Sequence, residues 1–365
     1  MGVLVNFLAG INEAVAPDSD IEGVLLNVPQ NAASEILVRH SLNLIEKLRP
    51  RYTMLDSGGY QVLQKELAGV LVDSDSDKTL LYGPDGINLH PIHVIQAALR
   101  VRPDFLVALD RPISKISDRS RQQHEFMEKL GFNIMWTEET AKLRNKYCPE
   151  IQLLVPVQAY DLEQFRILER YLADLDYSGL ALPTRNLDPL GVSLFLMKFR
   201  QMGVRRVHIL SYSSFTGIVL ASFFARHIFE WVSIDATSWR MNSDKMIYLD
   251  PWSLRQWPAK EGTPFNDRVR ARCECPWCHH YTAFQIVNTP ETDRRYFLRN
   301  HNNWAINNLC RQAFQHAGSV ASLDRFLRSR MERPVRGYDK LIRALSVVEN
   351  FGDQDFSIVK GFLTN

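Results

Sequence analysis

No stretch of this chain approaches the roughly 20 consecutive apolar residues that a membrane-spanning helix needs, so the sequence predicts no such span. The opening Met1-Gly-Val-Leu-Val-Asn-Phe-Leu8 has no basic segment ahead of its apolar residues, and it reads as a first strand rather than a signal peptide. Asn6 stands where a myristoylation signal would want a hydroxyl residue. Cysteine is scarce, five in 365 residues, and three of the five crowd into one short segment. A disulfide framework is therefore not expected, and a reducing cytoplasm is. Internal repeats and low-complexity tracts are lacking too. What remains, 45% apolar and 23% charged residues, is the composition of a soluble globular protein, long enough to bury one large core or two smaller ones.

The scarce cysteines are informative by position. Cys273-Glu-Cys275-Pro-Trp-Cys278 is followed by His301, and three thiols with one imidazole form a standard tetrahedral ligand set for structural Zn²⁺. His279 and His280 are rival fourth ligands, but their adjacency to Cys278 makes a tetrahedron harder to close. A closed four-ligand site leaves no position for water, so the expected zinc is structural and the chemistry must lie elsewhere.

The near-neutral formal charge of +2 hides an asymmetry: Trp252–Ala344 carries sixteen Lys and Arg against eight Asp and Glu. Arg268-Val-Arg-Ala-Arg272, Arg294-Arg295 and the run from Arg325 to Arg336 make a basic C-terminal third. Such a patch is the footprint of a polyphosphate partner; the plainer reading is a solvated helix face.

Short apolar runs rich in β-branched residues predict strands near Leu4–Leu8, Val24–Val28, Tyr52–Asp56, Phe105–Asp110, Leu153–Gln158, Gly179–Leu182, Val207–Ser211 and Val232–Asp235. Amphipathic segments Ala33–Leu48, Ile92–Arg100, Ser120–Lys146, Leu162–Leu172, Leu190–Met202 and Phe215–Phe229 lie between them. Strand–helix alternation predicts a parallel sheet with right-handed crossovers. Asp56, Asp110, Gln158 and Asp235 stand at the C-terminal ends of four different strands, where barrel active sites are built. The expected fold is thus α/β, a (β/α)₈ TIM barrel over residues 1–239, with a zinc-binding subdomain over 240–310 and a helical C-terminal region over 311–365. Val72–Asn88 reads as an exposed excursion, residues 240–300 as irregular, and 301–350 as mostly helical.

Leu55-Asp56-Ser57-Gly58-Gly59-Tyr60-Gln61 adds a carboxylate, a hydroxyl and paired glycines at a strand end, a loop that a ligand can approach closely. A plain turn would explain Gly-Gly alone. Combined with the zinc pattern, however, this segment resembles the tRNA-guanine transglycosylase superfamily, whose hallmark is Asp-Ser-Gly-Gly-Phe-Gln. The resemblance continues in order through His90-Pro91, Asp104–Asp110, Val155-Pro-Val-Gln158, Asp176–Ala181 and Val232-Ser-Ile-Asp235.

Base exchange is displacement at an anomeric carbon, and two carboxylates with separate roles suit it. The resemblance implies that Asp235 is the nucleophile forming a covalent nucleoside–enzyme intermediate, and that Asp56 is the general acid/base. It implies base recognition by Asp110, by Gln158 and by the backbone at Gly179 and Leu180. Ser57, Gly58 and Gly59 would form the loop against the base, with Tyr60 stacking on it in place of the usual Phe. Plainer readings stand beside these: Asp110 in an ion pair with Arg111, Asp235 capping a turn, Gln158 as a structural hydrogen bonder. Ser57 is not read as a nucleophile, because no His is placed to activate it.

Departures from the family pattern bear on the substrate. Asp235-Ala-Thr-Ser-Trp239 replaces a Pro-Thr-Arg segment after the nucleophile, Gln158-Ala-Tyr160 replaces Gln-Gly-Gly, and Ala181-Leu-Pro183 replaces a glycine-rich edge. These features are similar to the DNA-modifying branch, the DpdA-type transglycosylases that insert 7-deazaguanine derivatives into DNA. The expected substrates are therefore DNA and a 7-deazaguanine base such as the 7-cyano form, with helper proteins to open the duplex and no membrane. Alternatives are a tRNA transglycosylase of queuosine or archaeosine type, and a non-catalytic nucleic-acid-binding paralogue. Trp239 either stacks in the space left by a flipped base or packs in the barrel.

Overall fold

A computed structural model describes residues 2–9, 21–28, 35–59, 63, 67, 80–82, 87–331 and 334–364. Tyr60 and most of the Val72–Asn88 excursion lie outside these described residues; within the excursion Leu80–Tyr82 pairs antiparallel with Ile87–Leu89.

The eight expected strands form: β1 (Val3–Ala9), β2 (Gly23–Asn27), β3 (Tyr52–Asp56), β4 (Phe105–Val107), β5 (Gln152–Pro156), β6 (Gly179–Pro183), β7 (Arg206–Leu210) and β8 (Trp231–Ala236). They close into a barrel in which each strand pairs in parallel with its sequence neighbours and β1 pairs with β8. The strands are apolar on both faces because both are covered. Val5, Phe7, Met54, Phe105, Leu154 and Trp231 fill the interior, with the Phe105 and Trp231 rings stacked at 4.4 Å. Alternate residues such as Leu4, Leu8, Leu55, Leu180 and Ile234 face the surrounding helices.

Several crossover helices start at capped turns. Asp161 accepts from the backbone of Glu163 and Gln164 before Leu162–Leu172, Asp188 caps Pro189–Gln201, and Ser214 caps Phe215–His227. Each side-chain oxygen satisfies N–H groups that the first helical turn cannot. Asp110 and Gln158 lie just past the hydrogen-bonded ends of β4 and β5, in loops rather than in the strands expected for them.

After β8 the chain forms the short helix Ser238–Asp244 and the antiparallel pair Ile247–Leu249 and Gln256–Pro258, then the cysteine segment. Helix Glu291–His316 follows, so residues 291–300, expected to be irregular, are helical. That helix spans the expected boundary at residue 310. Its N-terminal half packs Phe297 and Leu298 into the core around the cysteines, and its C-terminal half packs Ala305, Ile306, Leu309 and Ala313 into the barrel's outer core. Helices Tyr338–Phe351 and Phe356–Thr364 pack against Pro189–Gln201. No helix among the described residues is long and apolar enough to cross a membrane.

Buried asparagines fasten the long helix. Asn307 Oδ1 accepts from Asn6 Nδ2 of β1 at 2.7 Å. Asn302 accepts from the Leu249 amide at 2.9 Å and donates to the Ile247 carbonyl at 2.9 Å and to Ser243 Oγ at 3.0 Å. Removing Asn302 leaves buried backbone groups unpaired, each worth about 1–3 kcal/mol. Asn302→Ala is therefore expected to lower unfolding free energy by about 2–4 kcal/mol, measured as a drop in the denaturant midpoint without loss of far-UV helicity.

Candidate active site and metal centre

The barrel mouth at the C-terminal ends of the strands opens into a cavity of about 620 Å³, lined among others by Asp56, Gly59, Asp110, Gln158 and Asp235. Four residues far apart in sequence, Asp56, Asp110, Gln158 and Asp235, are thus brought to one place.

The Asp-Ser-Gly-Gly loop is shaped by its neighbours. Gly58 has φ of +82°, a left-handed conformation that side chains disfavour. A Cβ on Gly59 would sit 2.5 Å from Asp110 Oδ1 and 2.8 Å from Pro112 Cγ, so only glycine lets this loop press against Asp110. Ser57 Oγ donates to Asp110 Oδ1 at 2.8 Å, and Gln158 Nε2 donates to Oδ2 at 2.5 Å. Gln158 Oε1 accepts from the Ile113 amide at 3.1 Å. Gln158 therefore orients Asp110 and the loop behind it while still facing the cavity. Arg111 turns away: it pairs with Glu128 at 3.5 Å and lies over the Phe132 ring, so it is not the partner of Asp110.

Asp235 sits in β8 opposite Phe7 of β1 and accepts a hydrogen bond from the Ser211 amide through Oδ1. Ser211, just past β7, holds a left-handed φ of +57°. The side chain is therefore fixed by backbone at a strand end rather than capping the turn that follows.

Burial raises the pKa of all three carboxyls. Asp56 reaches about 7, pushed up by desolvation and then by the charges of Asp110 and Asp235, against the pull of the Gly58 and Ser57 amides. Asp235 rises to about 6 through burial, opposed by the Ser211 amide. Asp110 also rises to about 6 through burial, opposed by Ser57, Gln158 and the positive charge of Arg185. The group with the highest value is the one suited to carry a proton near neutrality.

Ser57, whose hydroxyl is turned to Asp110, and Gly58 are not among the lining residues, and two further expected contacts do not reach the cavity at all. Gly179 is the first residue of β6, at the opposite end of the barrel, and the lining from that strand begins at Pro183. Four residues of strand separate them by about 13 Å. A Cβ on Gly179 would meet the Arg206 carbonyl oxygen at 2.4 Å, so this glycine serves close strand approach. Leu180 is fully buried in the outer core. Other lining residues were not singled out from sequence: Thr184, Arg185 and Asn186 beyond β6, and Arg240, Met241 and Asp244 on the helix after β8. Their position just past strand ends was the available signal. Trp239 is buried in the barrel's outer core, which settles its packing.

A second cavity, about 980 Å³, adjoins the first and shares Ser211, Asp235, Thr237 and Met241 with it. Its walls carry Arg255, Arg272, Arg330 and Arg336. Arg330 lies 3.7 Å over the Trp252 ring and Arg255 lies 4.4 Å over the Trp257 ring, stacking that holds the guanidinium planes in place. Much of the remaining basic third is spent internally, as in Arg295 with Glu291, Arg299 with Asp244 and Arg328 with Asp324.

Cys273, Cys275, Cys278 and His301 form a buried cluster that could hold a metal ion such as zinc. The three sulfurs lie 3.5, 3.4 and 3.4 Å from His301 Nδ1. Ordinary Zn–S and Zn–N bonds in a tetrahedron would separate sulfur and nitrogen by about 3.6 Å. His301 Nε2 donates to the Leu249 carbonyl at 2.8 Å, which leaves Nδ1 as the ligating nitrogen. Tyr248 stacks on the imidazole at 3.8 Å, closing the site further. His279 and His280 are exposed and outside the cluster.

No protein-family model matches this chain, and no curated protein matches it either.

Two outcomes follow from these sites. Purified protein is expected to carry one zinc per chain by elemental analysis, and Cys275→Ser and His301→Ala are each expected to lose it and to melt at lower temperature. The raised pKa of Asp56 has a definite sign: its contribution to stability is complete below the unfolded value of about 4 and is lost as pH rises through about 7. Asp56→Asn, which cannot ionise, is therefore expected to melt above the parent at pH 8 and level with it at pH 4, as thermal denaturation at the two pH values would record.

Proposed function

We propose that the protein is a base-exchange transglycosylase that replaces guanine in DNA with a 7-deazaguanine derivative, through a covalent intermediate on Asp235. The observation that carries this reading is the convergence of Asp56, Asp110 and Asp235 on one barrel-mouth cavity. The chemistry of exchange needs a nucleophile, a proton carrier and a base-recognising carboxylate, and the three differ in their surroundings as those roles require. These residues and the resemblance of the Asp56–Gln61 and Cys273–His301 segments to guanine transglycosylases support the activity.

In the first half-reaction the ionised Asp235 forms a bond to C1′ as the glycosidic bond to guanine breaks. The electron pair of that bond goes to the departing base, and the Asp56 carboxyl supplies the proton. In the second, the Asp56 carboxylate takes a proton from the incoming base, whose nitrogen attacks C1′ and releases Asp235. The proton inventory closes, since Asp56 ends as it began. Asp110, held by Ser57 and Gln158, can accept two hydrogen bonds from a guanine-type edge.

The arginine-walled cavity that meets the first at Asp235 favours a polyanionic substrate over a free nucleoside. A duplex substrate would have to release the nucleotide into the cavity, which is where helper proteins would enter. The zinc would be structural, holding the wall that bears Arg272, in a reducing, cytoplasmic setting.

The test is incubation of the protein with labelled guanine or 7-cyano-7-deazaguanine, offering plasmid DNA and bulk tRNA separately. Label is expected in DNA, absent with Asp235→Ala and reduced by roughly 10²–10⁴-fold with Asp56→Asn. Label in tRNA alone would select the tRNA reading, and none in either polymer, nor in heat-denatured DNA that needs no opening, would select a non-catalytic binding protein.

A further inference from the structure

One buried group beside Asp235 has no role in this scheme. His208, in the middle of β7, points into the barrel, where its backbone is registered with Ser233 of β8 and Ala181 of β6. It is fully buried, and the Phe7 ring meets it edge-on at 6.1 Å. Nδ1 is 2.7 Å from Ser233 Oγ. Nε2 makes no hydrogen bond, yet it is 3.6 Å from Asp235 Oδ1. An orphaned, buried ring nitrogen is costly, and the group it faces is the carboxylate assigned as nucleophile.

Burial lowers the imidazole pKa to about 3, against a smaller upward pull from the Ser233 backbone, so the ring is neutral and one nitrogen donates while the other accepts. Against an ionised Asp235, an Nε2 lone pair would be repelled, whereas an Nε2–H would be attracted. The serine hydroxyl can then donate to Nδ1 and fix that tautomer. At 3.6 Å the contact is longer than a hydrogen bond, but contacts of this kind tighten when a substrate closes the site.

We propose that His208 is a positioning residue for Asp235, donating from Nε2 to Oδ1 so that Oδ2 is the oxygen that bonds to substrate. The same donor stabilises the carboxylate each time the covalent intermediate breaks down. No net proton moves through His208. The inference rests on the reading of Asp235 as the nucleophile only for its catalytic consequence; the His208–Asp235 link can be tested without any substrate.

The other charged groups lining the two cavities at Asp235 are Asp56 at the end of β3, Asp110 after β4, Arg185 after β6, Arg240 and Asp244 on the helix after β8, and Asp250, Arg255, Arg272, Arg330 and Arg336 on the arginine-bearing wall. The Asp56 and Asp110 carboxyl signals are followed alongside. The experiment is a carboxyl ¹³C NMR titration of aspartate-labelled protein, with Asp235 assigned by loss of its signal in Asp235→Asn. In His208→Phe the Asp235 midpoint is expected to rise by about one pH unit, the equivalent of one lost hydrogen bond, and His208→Gln is expected to restore most of it. An unchanged Asp235 midpoint in His208→Phe overturns the proposal, whatever the activity. Imidazole ¹⁵N spectra of the unmodified protein at pH 8 guard against a variant that fails to fold: an Nε2–H tautomer supports the link, and an Nδ1–H tautomer overturns it. In the exchange assay, kcat is expected to fall about 100-fold in His208→Phe, the size of losing one preorganised donor, with KM little changed and recovery in His208→Gln. A shifted midpoint in a protein that exchanges no base would leave the His208 link standing and remove the proposed reaction.

Discussion

The pairing of Val3–Leu8 with Trp231–Ala236 closes the barrel, and the rest of the molecule depends on that closure. An open sheet of the same strands would leave β1 and β8 at opposite edges, some way from each other. Closure instead brings Asp235 beside Phe7 and round to the ends of β3 and β4, where Asp56 and Asp110 stand. It also fills the interior with Phe7 and, towards the far end, Phe105 and Trp231, while Ala9, Leu25, Val107 and Leu210 give the mouth an apolar floor. Water is excluded from one side of every carboxyl there, and desolvation raises all three pKa values.

Given that floor, fixed dipoles and neighbouring charges set the acids apart. Asp235 is lowered by backbone amides, that of Ser211 first, Asp110 by a serine, a glutamine and the arginine beyond β6, while Asp56 is raised further by the other two carboxyls. Each compensation comes from a different strand end. Changing the register of any one strand would therefore alter the balance of the whole site; Gly59 leaves room for the Asp110 carboxyl, and Gly179 for the Arg206 carbonyl of the neighbouring strand. The long helix Glu291–His316 carries the same logic outward. Its N-terminal half supplies His301 to the cysteine cluster, and further along Asn307 is bonded to β1 and the apolar face is packed on the barrel. A metal in that cluster would thus be mechanically linked to the wall of the arginine-lined cavity.

Legibility in the sequence differs by kind of signal. The strands and helices of the barrel were readable to within a few residues, because an apolar run of β-branched residues and an amphipathic period are local properties. Expected strand ends at Asp110 and Gln158 ran long, since a strand's end is set by what its neighbours offer as hydrogen-bond partners and not by its own composition. Gly179 and Leu180 were placed at the mouth by resemblance of a segment, but a segment does not say which end of its strand faces the ligand.

Sequence alone determined the alternation that makes a parallel barrel, the Cys₃His ligand set, and the carboxylates stationed at strand ends. All of these follow from residues near one another in the chain, or from chemistry that a residue type carries anywhere. Tertiary structure alone decided that Gln158 is committed to Asp110, that Arg111 turns to Glu128, and that Trp239 packs inside. It also decided that His208 faces Asp235 with a free ring nitrogen and that Arg255, Arg272, Arg330 and Arg336 share one wall. Those facts depend on register, on the inward or outward side of each strand, and on the packing of segments a hundred or more residues apart, none of which is written in any single stretch of the chain.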